Sequence, residues 1–160
     1  MHTAARPGQG NNRGYEFNIL TGRFSRVLKP GAPGVSLTTA AINNHGDVAG
    51  FYATSGGKTD AFLKYADGRF LTLAVHGASM TQAFGINDSG EVVGTYTVGT
   101  GNNAVMHGFT WRAGHGLTTV DDPHGVGATT INGVNDRGDL VGFYTDAQGN
   151  TEGMLALPRH

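Results

Sequence analysis

Ile42-Asn43-Asn44-His45-Gly46-Asp47-Val48-Ala49-Gly50-Phe51-Tyr52 decides the fold of this chain, because it returns twice. It reappears as Ile86-Asn87-Asp88-Ser89-Gly90-Glu91-Val92-Val93-Gly94-Thr95-Tyr96 and as Val134-Asn135-Asp136-Arg137-Gly138-Asp139-Leu140-Val141-Gly142-Phe143-Tyr144. The central glycines Gly46, Gly90 and Gly138 are 44 and 48 residues apart. Self-similarity at such a period marks a repeat architecture and takes precedence over any local helix or strand assignment.

Two further elements keep step with the first. Gly14-Tyr15, Ala61-Phe62, His107-Gly108-Phe109 and Gly153-Met154 each open a short β-prone run. Phe24-Ser25-Arg26-Val27, Phe70-Leu71-Thr72-Leu73 and Leu117-Thr118-Thr119-Val120 keep apolar residues at their first and fourth places, and each runs into a small-residue loop. Every unit therefore holds four strand candidates, A to D. The Asn-x-x-Gly segment joins A to B as a hairpin, the Asn or Asp side chain bonding nearby backbone N–H groups and the glycine closing the turn. Tight turns at Thr21-Gly22, Asp67-Gly68 and His115-Gly116 join C to D. Gly50, Gly94 and Gly142 fall inside strand B, where glycine marks a bulge or the close approach of another backbone.

No window carries the i, i+3, i+4, i+7 apolar pattern, so no long helix is expected. The reading is an all-β, β-propeller-like domain of three four-stranded repeats of about 47 residues. Repeats are placed at 13–59, 60–106 and 107–153, with a final strand at 154–157, in a single domain spanning 13–160 after a flexible segment, 1–12. Three units are fewer than the usual four to eight of a closed propeller. Because the chain opens on strands C and D and ends on A, B and a last C, two chains sharing a blade at each seam would make a six-bladed ring, with one strand C surplus. A homodimer is expected on that count. The alternative is a monomer closed about a threefold axis, like a β-trefoil or β-prism.

These units resemble the HAF-repeat proteins, a bacterial family of predicted extracellular repeat proteins named for a His-Ala-Phe-like tripeptide. The tripeptide falls on His107-Gly108-Phe109, on Asp60-Ala61-Phe62 and more weakly on Arg13-Gly14-Tyr15, and the family's Gly-Ile-Asn-x-x-Gly-x-Val-x-Gly-x-Tyr is matched at 85–96 and 133–144. Asp60 and Arg13 stand where the family has histidine. The resemblance implies a secreted scaffold, extracellular or periplasmic, and no particular chemistry.

Composition narrows the functional classes. Charged residues are 14% of the chain, while 27 of 160 residues are glycine, more than twice the usual share of about 7%. A net charge of -1 provides no field for a polyanion or an anionic membrane, so neither nucleic acid nor membrane is expected as a partner. Apolar runs such as Met154-Leu155-Ala156-Leu157 are far short of a bilayer span, and the polar stretch Met1 to Asn12 lacks the apolar core of a signal peptide. With no cysteine, thiolate metal sites and thiol nucleophiles are excluded, and no serine sits in Gly-x-Ser-x-Gly.

Antiparallel alternation places the D-to-A and B-to-C loops together, opposite the Asn-x-x-Gly hairpins. That end collects His76, His107, Asp121, Asp122 and His124, of which His76, His107, Asp122 and His124 are the candidates for ligand binding; Trp111, on strand C, is read first as a core aromatic and otherwise as a stacking platform for the same ligand. The core reading rests on the strand face it shares with Phe109. Asp121-Asp122-Pro123-His124 has the ligand chemistry of a metal run but none of the zinc-motif spacings. The Asn-Asp turns lack the ligand series of a calcium loop, and Gly99-Thr100-Gly101 does not lead into a phosphate-binding helix. Neither metal nor cofactor is expected. The leading reading is a non-catalytic module for a small molecule or glycan; the alternative is a small lyase, isomerase or hydrolase using His76, His107 or His124 with Asp121 or Asp122 as general acid and base.

Overall fold

The computed structural model describes residues 11–158, so most of the segment 1–12 lies outside the described residues. Asn12 is tied in place: it donates to Ser36 Oγ, and its carbonyl accepts the Leu37 N–H, both at 3.0 Å. The structure is all-β. Thirteen strands run in chain order: β1 (Tyr15–Asn18), β2 (Arg23–Arg26), β3 (Leu37–Ile42), β4 (Val48–Ala53), β5 (Thr59–Lys64), β6 (Phe70–Leu73), β7 (Ala78–Ile86), β8 (Val92–Val98), β9 (Val105–Arg112), β10 (Gly116–Thr119), β11 (Thr129–Val134), β12 (Leu140–Thr145) and β13 (Thr151–Ala156). Among the described residues the only helical element is a 3₁₀ turn at Gly101–Asn103, inside the long loop between β8 and β9.

Each strand pairs antiparallel with the next inside four groups: β1–β2, β3 to β6, β7 to β10, and β11 to β13. A single parallel bridge, Thr59 to Met80, joins the second and third groups into one eight-stranded sheet, and Met106 bridges to Ala128 in the fourth. None of the sheets closes into a barrel.

The Asn-x-x-Gly segments are the hairpins expected of them. In the turn between β7 and β8, the Asn87 carbonyl accepts from Gly90 N–H at 3.0 Å and the Asn87 side-chain oxygen accepts from Glu91 N–H at 2.9 Å, while Gly90 takes φ of 76°. Asn43 and Asn135 make the same bonds in their turns. The strand-B glycines have the predicted cause as well. A bulge sits between Thr39 and Ala41, between Ala83 and Gly85, and between Ile131 and Gly133, opposite Gly50, Gly94 and Gly142 respectively. A Cβ at Gly94 would lie 1.9 Å from the Gln82 carbonyl oxygen, so no side chain fits against the bulged strand.

Because side chains alternate across a strand, each unit presents one face to the unit before it and the other to the unit after it. Val27 packs with Leu37, Val48, Tyr52 and Phe62 between the first and second groups. Ala49, Ala61, Leu63 and Leu73 meet Val92, Tyr96 and Phe109 between the second and third. Val93 meets Ile131 and Leu140 between the third and fourth. The core is thus three apolar seams rather than one central cluster. Phe62, Phe109, Leu63, Ile131, Val92 and Val93 are its largest fully buried apolar side chains, each contributing about 1.5–3 kcal/mol.

Candidate functional site

The loops between D and A strands and between B and C strands lie at one end of the units. Ala78, which follows His76 and Gly77, pairs with Val98 at the end of β8, and Thr129, which follows the loop 120–128, pairs with Tyr144 near the end of β12. His107 enters that end from the start of β9, where the backbone N–H of Met106 donates to the Gly127 carbonyl at 2.9 Å.

His107 is the best-ordered candidate. Its Nδ1 lies 2.7 Å from Asp121 Oδ2, and the other oxygen of the same carboxylate accepts the Gly108 N–H at 3.1 Å. Its ring stacks on Tyr96 at 5.0 Å, and the Tyr96 hydroxyl is held by Thr119 Oγ1 at 2.8 Å. The imidazole is therefore fixed in plane and in rotation, with Nε2 left as its remaining polar atom. At 25% side-chain exposure it is shielded but reachable.

One residue further along the loop, Asp122 holds His124: Oδ1 accepts the His124 N–H at 2.9 Å and lies 3.1 Å from Nδ1. This ring is tilted against Tyr144 at 6.4 Å and is mostly exposed. Burial and the negative charges of Asp122, Glu152 and Asp146 raise the Tyr144 phenol above its ordinary value, so it remains a neutral hydroxyl. His76 sits exposed on the turn leading into β7.

The sequence candidates thus separate into two imidazole–carboxylate pairs on successive residues of one loop, His107–Asp121 and His124–Asp122. They do not converge: among the described residues no three His, Cys, Asp or Glu side chains gather closely enough to hold a metal ion. Trp111 does not join the imidazoles. It pairs across β9 with Val92 and Leu117 at the hairpin end, about 13 Å along the strand from His107 at roughly 3.3 Å per residue, and its ring packs on the core.

Three participants are absent from the sequence reading. In register, the tyrosine that ends the strand-B motif faces the first residue of the tripeptide: Tyr52 opposite Asp60, Tyr96 opposite His107, Tyr144 opposite Glu152. The signal was present in the aligned units, but it becomes a contact only when the B–C register is known. In the second group Tyr52 bonds Thr72 at 3.0 Å and carries Lys29 5.0 Å above its ring, and burial with the neighbouring Asp60 charge raises its phenol as well.

At the hairpin end the turns are tied to one another. Asn43 Nδ2 donates to the Asn87 carbonyl at 3.2 Å, and Asn87 Nδ2 to the Asn135 carbonyl at 2.9 Å. In parallel, the N–H of Asn44 donates to Asp88 Oδ1 and that of Asp88 to Asp136 Oδ1, both at 2.8 Å. A cavity of about 220 Å³ opens among these side chains. No family model matches the chain, and neither a curated protein nor a solved structure is significantly similar to it.

Proposed function

We propose that this chain is a β-propeller-like repeat module that binds a small polar molecule or a glycan at its loop end without transforming it. The observation that carries the reading is the Tyr96–His107–Asp121 arrangement, an imidazole seated on the buried Tyr96 ring and held in one orientation by hydrogen bonds of 2.7 Å to Asp121 and, through the Tyr96 hydroxyl, of 2.8 Å to Thr119. Polar groups fixed in orientation are what a hydroxyl-rich ligand requires, since they set the geometry of its hydrogen bonds. Asp122, His124 and the neutral Tyr144 hydroxyl extend the same surface. The match to the HAF-repeat pattern supports a scaffold of bacterial, extracellular type.

The same pair supports a second reading. An imidazole oriented by a carboxylate is the geometry of a general base, so a lyase, isomerase or hydrolase acting through His107 is the rival. The two readings separate by experiment. A panel of neutral and uronic-acid oligosaccharides is screened by thermal shift against the wild type and the His107→Ala and Asp121→Asn variants. The binding reading expects a rise in melting temperature that both variants lose, with the saccharide recovered unchanged. Recovery of a shortened or unsaturated saccharide would favour the enzyme, and the absence of any shift across the panel would refute a glycan ligand.

A further inference from the structure

The two ends of this stack expose the halves of a contact that its middle makes repeatedly. At the final unit, Val141 is 50% exposed, whereas Ala49 and Val93, its counterparts in the earlier strand-B motifs, are fully buried against the next unit. Phe143, Leu155 and Leu157 lie open beside it. At the first unit, Ile42 is 63% exposed against 8% for its counterpart Ile86. A groove of about 270 Å³ lies there between β1 and β3, lined by Tyr15, Phe17, Ala41, Ile42 and Val48. Among the described residues no strands A and B precede β1 and β2, and the groove occupies the place that such a pair would fill.

The turn ladder is open at the same two ends. Asn43 and Asn87 each give a side-chain amide proton to the carbonyl of the next turn, but among the described residues Asn135 Nδ2 bonds only Asp139 within its own turn, at 2.7 Å. Conversely, the Asn87 and Asn135 carbonyls each accept from the preceding turn as well as from their own glycine N–H, while among the described residues the Asn43 carbonyl accepts only from Gly46. One end offers a donor and a bare apolar face; the other offers an acceptor and a groove.

We propose that a second copy of this chain supplies both missing halves, so that two chains close head to tail into one ring of six four-stranded units. The proposal rests on the propeller-like reading of the stack and on nothing at the loop end. β11 and β12 of one copy fill the groove of the other, Val141 and Phe143 cover Ile42, and Asn135 donates to the second copy's Asn43 carbonyl. β1 and β13 are equivalent strands and compete for the edge of β12 that β13 occupies in the single chain. β1 takes it, because it brings β2 with it and is anchored by Val27 in the core and by the Glu16–Lys64 ion pair at 2.8 Å. The exchange replaces one antiparallel ladder by another, while Tyr15, Phe17 and Phe24, now exposed, become buried. A heterologous contact of this kind closes when its rotation fits the number of subunits and otherwise runs on as a fibre.

Light scattering on the intact chain at micromolar concentration tests this. The expected mass is twice the 16.6 kDa of one chain; a monomer, or an open series of larger species, overturns the closed ring. Two substitutions at sites exposed in the single chain, Ile42→Asp and Val141→Asp, should each give a folded monomer with unchanged circular dichroism. Mixing them should restore a dimer, because the intact C-terminal face of Ile42→Asp meets the intact groove of Val141→Asp at one seam. A mixture that stays monomeric overturns the head-to-tail contact. Neither result bears on the melting shift that tests the loop-end site.

Discussion

Replacing Gly94 by alanine should be among the most damaging single-methyl changes possible in this chain. Gly94 lies in the middle of β8, fully buried, opposite the bulge between Ala83 and Gly85. The added Cβ would stand 1.9 Å from the Gln82 carbonyl oxygen and 2.9 Å from Ala83 Cα. Both are backbone atoms, so no rotamer change relieves the clash. β7 must move by more than an ångström or the bulge must be undone, and β7 and β8 are central strands of the eight-stranded sheet. Overpacking of a well-filled core costs about 1–3 kcal/mol, and a lost ladder hydrogen bond adds about 1 kcal/mol, giving about 3 kcal/mol at the middle of the range. For a domain of this size that lowers the melting temperature by about 6–12 °C. Thermal and urea unfolding followed by circular dichroism measure it, with Gly153→Ala as the control, since a Cβ at Gly153 meets nothing within 4 Å. Gly50→Ala and Gly142→Ala should follow Gly94→Ala, with Gly142 the mildest because its position is half-buried. A Gly94→Ala protein within 0.5 kcal/mol of wild type would refute the close-approach account of these glycines.

Asn87→Ala should cost about 1–3 kcal/mol, because it leaves the buried Glu91 N–H without its acceptor and the Asn135 carbonyl without the donor at 2.9 Å. In the monomeric Val141→Asp background, Asn135→Ala, at a position exposed in the single chain where water can replace the lost bonds, should cost less than about 1 kcal/mol; costs equal to those of Asn87→Ala in the same background in urea unfolding would count against the buried ladder. Acid should weaken the same ladder. Hydrogen bonds from the Asn44 side chain and backbone hold the Asp88 carboxyl below its ordinary value. A group whose folded pKa is depressed stabilises above its unfolded pKa and loses that contribution as pH falls through the folded value. Melting temperature should therefore begin to drop as pH falls below about 5 towards the ordinary aspartate value of about 3.9, and go on dropping below it. Asp67 and Asp146, held down by backbone N–H groups and by the Arg69 and Asn150 side chains, add to the drop in the same direction. Asp88→Asn should lose less over that interval, and parallel curves for the two proteins would refute the assignment.

The sequence by itself determined the strand count, the strand order within each unit, the Asn-x-x-Gly hairpins and the meaning of Gly50, Gly94 and Gly142. All of these depend on a few adjacent residues, where Asn side chains satisfy turn N–H groups and glycine alone fits a bulge, so repetition makes them legible. It also brought the D-to-A and B-to-C loops together, because antiparallel alternation leaves no other arrangement. Only the tertiary structure decided which side chains meet. Trp111 and His107 share β9, yet four residues of extended chain hold them at opposite ends of the unit. Asp121 and Asp122 are neighbours in sequence, yet they take different imidazoles, because their carboxylates reach His107 across the sheet and His124 along the loop. The turn ladder links residues 44 and 48 positions apart, and equal spacing in a sequence carries no information about the angle at which one unit sits on the next. That angle alone made touching turns, three apolar seams and two uncovered ends out of one repeated motif.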